Sequence, residues 1–117
     1  MYTITKEFSF SASHQLTDLP EEHPCSNLHG HNYVIKVELK NAVLNGVGFV
    51  YDYRGLDIIK KWIDEHLDHQ HLNHVLDFNP TAENMAKDIY DHVKKLINTL
   101  SKVRIHETAT GWAEYYE

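Results

Sequence analysis

Hydrophobic side chains fall on alternate positions twice within the first forty residues. Tyr2, Ile4, Phe8, Phe10 and Ala12 sit on even positions separated by Thr, Glu and Ser, the period of two expected of a strand with one buried face. This predicts a strand over 2–14. Tyr33, Ile35, Val37 and Leu39 repeat the alternation with Lys36, Glu38 and Lys40 on the other face, and a breaker-rich segment from Asn41 to Gly48 ends it. A second strand is expected over 31–40. The period then changes. From Asp52 to Leu67 the apolar residues Leu56, Ile59, Trp62, Ile63 and Leu67 are spaced by three and four, which predicts an amphipathic helix. After the turn at Asn79-Pro80, Thr81 is the expected N-cap of a second helix with the stripe Met85, Ile89, Val93, Leu96 and Leu100. The segments 103–108 and 112–116 flank Ala-Thr-Gly and read as a closing hairpin.

The order is therefore β-β-α-α-β-β. It implies one α+β domain over residues 1–117, with a four-stranded antiparallel sheet and two helices on one face. Such a sheet has two exposed edges, and subunit association is one way to cover them.

Length and composition narrow the class further. A chain of 117 residues with 42% hydrophobic content can bury a core without disulfides, and its single cysteine cannot form one internally. Eleven Lys and Arg stand against 17 Asp and Glu, for a formal charge of -6, so no basic footprint for a nucleic acid is expected. No apolar run reaches membrane-spanning length, so no membrane association is expected. The first fifteen residues lack the pattern of a signal or transit peptide, which points to the cytoplasm. The unusual feature is histidine, which occurs ten times.

Three of these imidazoles suggest chemistry. In the stretch CSNLHGHNY at 25–33, His29 and His31 differ by two, so on a strand they project to the same face. His14 ends the neighbouring strand. His14, His29 and His31 can then form a three-histidine site with an open fourth position, as in a catalytic zinc site. An HxH alone is more often a pair of ordinary loop polar residues. The nearby thiol adds weight to the site, because a free Cys25 beside a cation is favoured as thiolate and becomes a usable base or nucleophile.

The chain resembles the 6-pyruvoyl-tetrahydropterin synthase family, and within it the branch that forms 6-carboxy-tetrahydropterin for queuosine biosynthesis. The residues that carry the resemblance are FSFSASHQL at 8–16, CSNLHGHNY at 25–33, GFVYDYRGLDIIK at 48–60, LDHQHLN at 67–73, PTAENMA at 80–86 and HET at 106–108. The resemblance implies the tunnelling fold, in which sheets join into a barrel, as a homohexamer of two trimers with active sites at subunit interfaces. It implies Zn2+ on His14, His29 and His31, a catalytic group of Cys25, Asp68 and His69, and Glu107 as the anchor of the pterin ring. It also implies a lyase that converts 7,8-dihydroneopterin triphosphate to 6-carboxy-5,6,7,8-tetrahydropterin, releasing acetaldehyde and triphosphate. The three residues between Cys25 and His29 match the carboxy-forming branch; Pro24 departs from the basic residue that many members have there. Pyruvoyl formation on the same substrate, or zinc-dependent pterin binding without turnover, are the alternatives.

Asp68 and His69 are adjacent, and adjacent residues on a helix point apart, so the pair is expected at a helix end, meeting Cys25 across a subunit boundary. His66, His71 and His74 straddle that helix end and are not expected to converge with His69. His23 and His106 read as solvated, His92 as helix surface, and Trp112, Tyr115 and Tyr116 as core or interface residues. Lys6, Lys36 and Arg54 are candidates for the triphosphate.

Overall fold

The computed structural model describes residues 1–117. Strand β1 (Tyr2–His14) runs antiparallel to β2 (His29–Asn41); helix α1 (Asp57–His66), the two-residue strand β3 (Gln70–His71), helix α2 (Leu72–Val75) and helix α3 (Ala82–Leu96) follow, and β4 (Leu100–Thr108) and β5 (Gly111–Tyr116) close the chain as a hairpin. Short 3-10 turns occupy Pro24–Ser26 and Tyr53–Leu56.

The sheet has five strands in the order β3-β1-β2-β4-β5. It is mixed, because β3 lies parallel to β1 at Ala12 and Ser13. The expectation of four antiparallel strands is corrected here: two residues are too few to show a period, so β3 leaves no pattern in the sequence. One buried face carries the core. Phe8 and Phe10 of β1, Tyr33, Ile35, Val37 and Leu39 of β2, and Val103 and Ile105 of β4 join Ile59 and Ile63 of α1 and Met85, Ile89 and Val93 of α3 in one cluster of 21 buried residues. Each fully buried aliphatic or aromatic side chain among them stabilises by about 1.5–3 kcal/mol.

Element boundaries shift for identifiable reasons. Strand β2 starts two residues earlier than the expected 31, because His29 pairs with His14 and extends the β1 ladder to its end. The helix expected from Asp52 begins at Asp57; the Asp52 carboxylate accepts the Arg54 N–H at 2.9 Å and caps the preceding 3-10 turn. In that turn a Cβ on Gly55 would lie 2.7 Å from the Tyr51 ring, so glycine is what fits. Thr81 does cap α3, its Oγ1 accepting the Asn84 N–H at 3.1 Å. Leu100 belongs to β4 rather than to the α3 stripe: the chain turns extended at Ile97, and Leu100 reaches the same core from the strand. Leu96 is correspondingly exposed. No helix is long and apolar enough to cross a membrane.

Candidate active site

Register builds the three-histidine cluster. In the β1–β2 ladder His14 faces His29 and Ala12 faces His31, so the three rings share the core face of the sheet at its end. The methyl of Ala12 leaves His31 room on that face. A Cβ on Gly30 would meet the Ala12 carbonyl at 3.4 Å, an ordinary contact, so close backbone approach does not require that glycine. Ligand atoms of His14, His29 and His31 all lie within 4.8 Å of one another, and three imidazoles around a tetrahedral metal at about 2.0–2.1 Å need nitrogens roughly 3.3 Å apart. The cluster is close to that spacing before any adjustment.

Hydrogen bonds set the protonation of the rings. His14 Nδ1 lies 2.9 Å from the Pro80 carbonyl and His29 Nδ1 lies 2.7 Å from the Asn27 carbonyl. Carbonyls only accept, so both favour a proton on Nδ1 and a lone pair on Nε2. The two Nε2 atoms nevertheless stand 2.8 Å apart. Two lone pairs facing each other at that distance repel unless a cation or a proton lies between them. His31 Nε2 is buried and has no hydrogen-bond partner. Burial holds His14 below the ordinary imidazole pKa against the opposing Pro80 bond. The group is thereby kept in the neutral form that ligates. An orphaned nitrogen, two Nε2 atoms 2.8 Å apart and an all-imidazole donor set fit a divalent transition metal.

Two further residues border the cluster. Glu107 Oε2 lies 3.9 Å from His31 Nε2, too far to bond it, so the half-buried carboxylate retains its acceptors beside the rings. Tyr33, fully buried, places its hydroxyl 3.2 Å from His14 Nδ1 and stacks on Phe10 at 4.8 Å. Its phenol pKa is pushed far up, chiefly by burial.

Asp68 and His69 lie just past α1, at the edge of β1 away from β2. His69 donates its N–H to the Ser11 carbonyl at 2.7 Å, and Asp68 Oδ1 accepts the Ser11 N–H at 2.9 Å. Together they satisfy both backbone groups of one edge residue. Asp68 Oδ2 also holds His69 Nδ1 at 2.9 Å. The Ser11 hydrogen bond, more than the His69 contact, holds the Asp68 carboxyl below the ordinary range. His69 has φ 59, a left-handed conformation that costs a non-glycine residue about 1–2 kcal/mol. Its side chain is 82% exposed, and it lines a polar cleft with Ser11, Ser13, His31, Asn32 and His71.

Cys25 lies in the 3-10 turn that Pro24 opens, half-buried, its N–H donated to His23 Nδ1 and its carbonyl accepting from Leu16. Pro24 suits that turn, since its fixed φ matches the first position and its missing N–H is not needed there. The sulfur is not part of the three-histidine group. Within the chain, no hydrogen bond joins Cys25 to Asp68 or His69.

Comparison with known proteins identifies the scaffold. The sequence model of the family described as "6-pyruvoyl tetrahydropterin synthase" matches residues 3–117. The chain belongs to that family. A 6-carboxy-5,6,7,8-tetrahydropterin synthase of Synechocystis is 35% identical, over 99% of this chain and 94% of the relative. One of Haemophilus influenzae is 32% identical over the whole of both chains. Among solved structures, the 6-pyruvoyl tetrahydropterin synthase of Caenorhabditis elegans superposes with a TM-score of 0.88 at 31% identity, covering 99% of this chain and 95% of that one.

Some residues of this family member behave otherwise than the sequence suggests. His106 is buried at 8% exposure, its ring 5.0 Å from Trp112, where a solvated side chain was expected. The tight β4–β5 hairpin folds Trp112 directly over it. Trp112 is half-exposed and Tyr115 packs on Tyr90 at 5.0 Å. His66 and His92 both lean on Trp62, and His71 and His74 pair with each other; of the histidines expected to lie apart from His69, His71 shares its cleft. The candidate phosphate cations do not gather: Arg54 is bound to Asp52, Lys36 to Glu7, and Lys6 is exposed on β1. The carbonyls of Asn27 and Pro80 and the hydroxyl of Tyr33 had no signal of their own in the sequence.

Proposed function

We propose that this single-domain chain, residues 1–117, is a zinc-dependent lyase that converts 7,8-dihydroneopterin triphosphate to 6-carboxy-5,6,7,8-tetrahydropterin, acetaldehyde and triphosphate, in queuosine biosynthesis. The observation that carries the reading is the convergence of His14, His29 and His31 beside Glu107. Two kinds of relative, named for carboxy-forming and pyruvoyl-forming synthases, resemble this scaffold at similar identity.

His14, His29 and His31 would hold the metal, which when bound supplies a Lewis acid for the oxygens of the substrate side chain. Glu107 would accept two N–H bonds from the amino and ring nitrogens of the pterin, a bidentate match that selects the heterocycle. Glu107 is 3.9 Å from His31 Nε2, so a pterin held there would lie beside the histidine cluster. Cys25, as thiolate, would remove a proton from a side-chain carbon at Sγ. His69 would carry that proton at Nε2. Asp68 fixes this assignment by accepting the Nδ1 proton. Because no hydrogen bond within one chain joins Cys25 to the Asp68–His69 pair, we place their meeting at a subunit boundary of a homohexamer, a dimer of trimers working in the cytoplasm.

Incubation of the purified protein with dihydroneopterin triphosphate, followed by identification of the pterin and assay of acetaldehyde, tests the activity. Acetaldehyde with the carboxy product is expected. A three-carbon side chain retained on the pterin would establish the pyruvoyl-forming reading, the activity for which the nematode relative at 31% identity is named. Binding without turnover would establish a pterin-binding protein. Light scattering that gives the 13.7 kDa monomer would remove the shared active site.

A further inference from the structure

We infer that the Tyr33 hydroxyl is a positioning group that holds His14 in a tautomer closed to metal, so that it weakens metal binding at the three-histidine site. The inference rests on reading that site as the metal centre. His29 Nδ1 faces the Asn27 carbonyl at 2.7 Å, so a neutral His29 carries its proton there and turns a lone pair toward His14 Nε2, 2.8 Å away. Without a cation, His14 must present an N–H at Nε2. A neutral imidazole has one N–H, which leaves a lone pair on His14 Nδ1. Of the two groups near that atom, Pro80 O at 2.9 Å can only accept, whereas the Tyr33 hydroxyl at 3.2 Å can donate. The metal-free site is then a one-directional chain in which Tyr33 donates to His14, His14 to His29, and His29 to Asn27. Beside that chain the Pro80 carbonyl is left without its donor, and His31 Nε2 is likewise unpartnered.

Metal requires the other tautomer. The His14 proton moves from Nε2 to Nδ1 with no change in total protonation, Pro80 O gains its donor, and Nε2 opens. The Tyr33 hydroxyl, fully buried, then loses its acceptor. A buried polar group left unmet is destabilising: in the metal-free form that group is Pro80 O, in the metal-ready form it is the Tyr33 hydroxyl, and only the second cost is removed together with Tyr33. Partners of a ligand's second nitrogen ordinarily strengthen binding, with losses of about 10–100-fold on removal. Tyr33 predicts the opposite sign.

The test uses the full-length Tyr33→Phe variant, which keeps the ring stacked on Phe10 at 4.8 Å. Competition for zinc chloride against a chromophoric chelator should show about two- to tenfold tighter binding, the worth of one hydrogen bond, with slower release into excess EDTA. Nitrogen-15 NMR of the metal-free wild type should place the His14 proton on Nε2, and the variant should shift it toward Nδ1. Unchanged or weaker zinc binding by a folded variant overturns the inference. So does a wild-type His14 protonated on Nδ1 in the metal-free state, a result that does not depend on the variant folding. A wild type that binds no zinc while showing the Nε2–H tautomer would remove the metal-centre reading and leave the hydrogen-bond chain standing.

Discussion

Replacing Asp68 separates its structural from its chemical work. Asp68→Ala removes the acceptor for the Ser11 N–H and the partner of His69 Nδ1, both at 2.9 Å, and leaves His69 at φ 59 without its anchor. A hydrogen bond to a charged group is worth about 1.5–3 kcal/mol. The His69 contact is nearly solvent-exposed and contributes at most about 1 kcal/mol, and the half-buried Ser11 N–H regains part of its loss from water. The expected destabilisation is about 2 kcal/mol, or roughly 6–10 °C in melting temperature for a chain of this size. Asp68→Asn should cost much less, because its carbonyl oxygen still accepts the Ser11 N–H. It would nevertheless present an amide N–H to His69 Nδ1, so the proton would be driven to Nε2. Turnover should therefore fall by about 10²–10⁴-fold while the melting temperature drops only a few degrees. Both variants are melted by circular dichroism at one protein concentration with zinc present, and kcat is measured on the same samples. An Asn variant that is active within threefold of wild type would refute the proton-holding role. An Ala variant that melts with wild type would refute the clamp on β1.

Loss of His29 removes one of three imidazoles whose ligand atoms lie within 4.8 Å, so His29→Ala should weaken zinc retention by more than about 100-fold, read by metal analysis after dialysis against about one zinc per wild-type subunit. Cys25 stands outside that group; Cys25→Ala should keep zinc and fold while losing about 10²–10⁴-fold in turnover, and near wild-type turnover would shift the base role to His69. The folded-state pKa of Asp68 is depressed, so its stabilisation is full above the unfolded carboxylate pKa and disappears as pH falls through the folded value. The gap in urea midpoint between wild type and Asp68→Ala should accordingly close as pH is lowered from neutral to below the carboxylate range; a gap independent of pH would mean that the carboxylate charge contributes nothing.

Much of the scaffold is legible in the chain itself. A period of two identifies β1, β2 and the hairpin, because alternate side chains on a strand must divide between core and water. Spacings of three and four identify α1 and α3, and Thr81 marks where α3 begins. The His29-Gly-His31 spacing puts two imidazoles on one face for the same geometric reason. Periodicity identifies faces but carries no register and no account of which backbone groups are left free. That His14 stands opposite His29, and the small Ala12 opposite His31, follows from the pairing of two strands distant in sequence. The clamp of Asp68 and His69 on Ser11 reaches across 57 residues to the backbone N–H and carbonyl of Ser11, groups that every residue possesses and no sequence pattern reports. The carbonyls of Asn27 and Pro80 belong to the same class, and so does the burial of His106 beneath Trp112. Composition made histidine conspicuous, but only the packed chain decided which nitrogens face one another, because a tautomer is set by neighbours that tertiary contact alone brings within hydrogen-bonding distance.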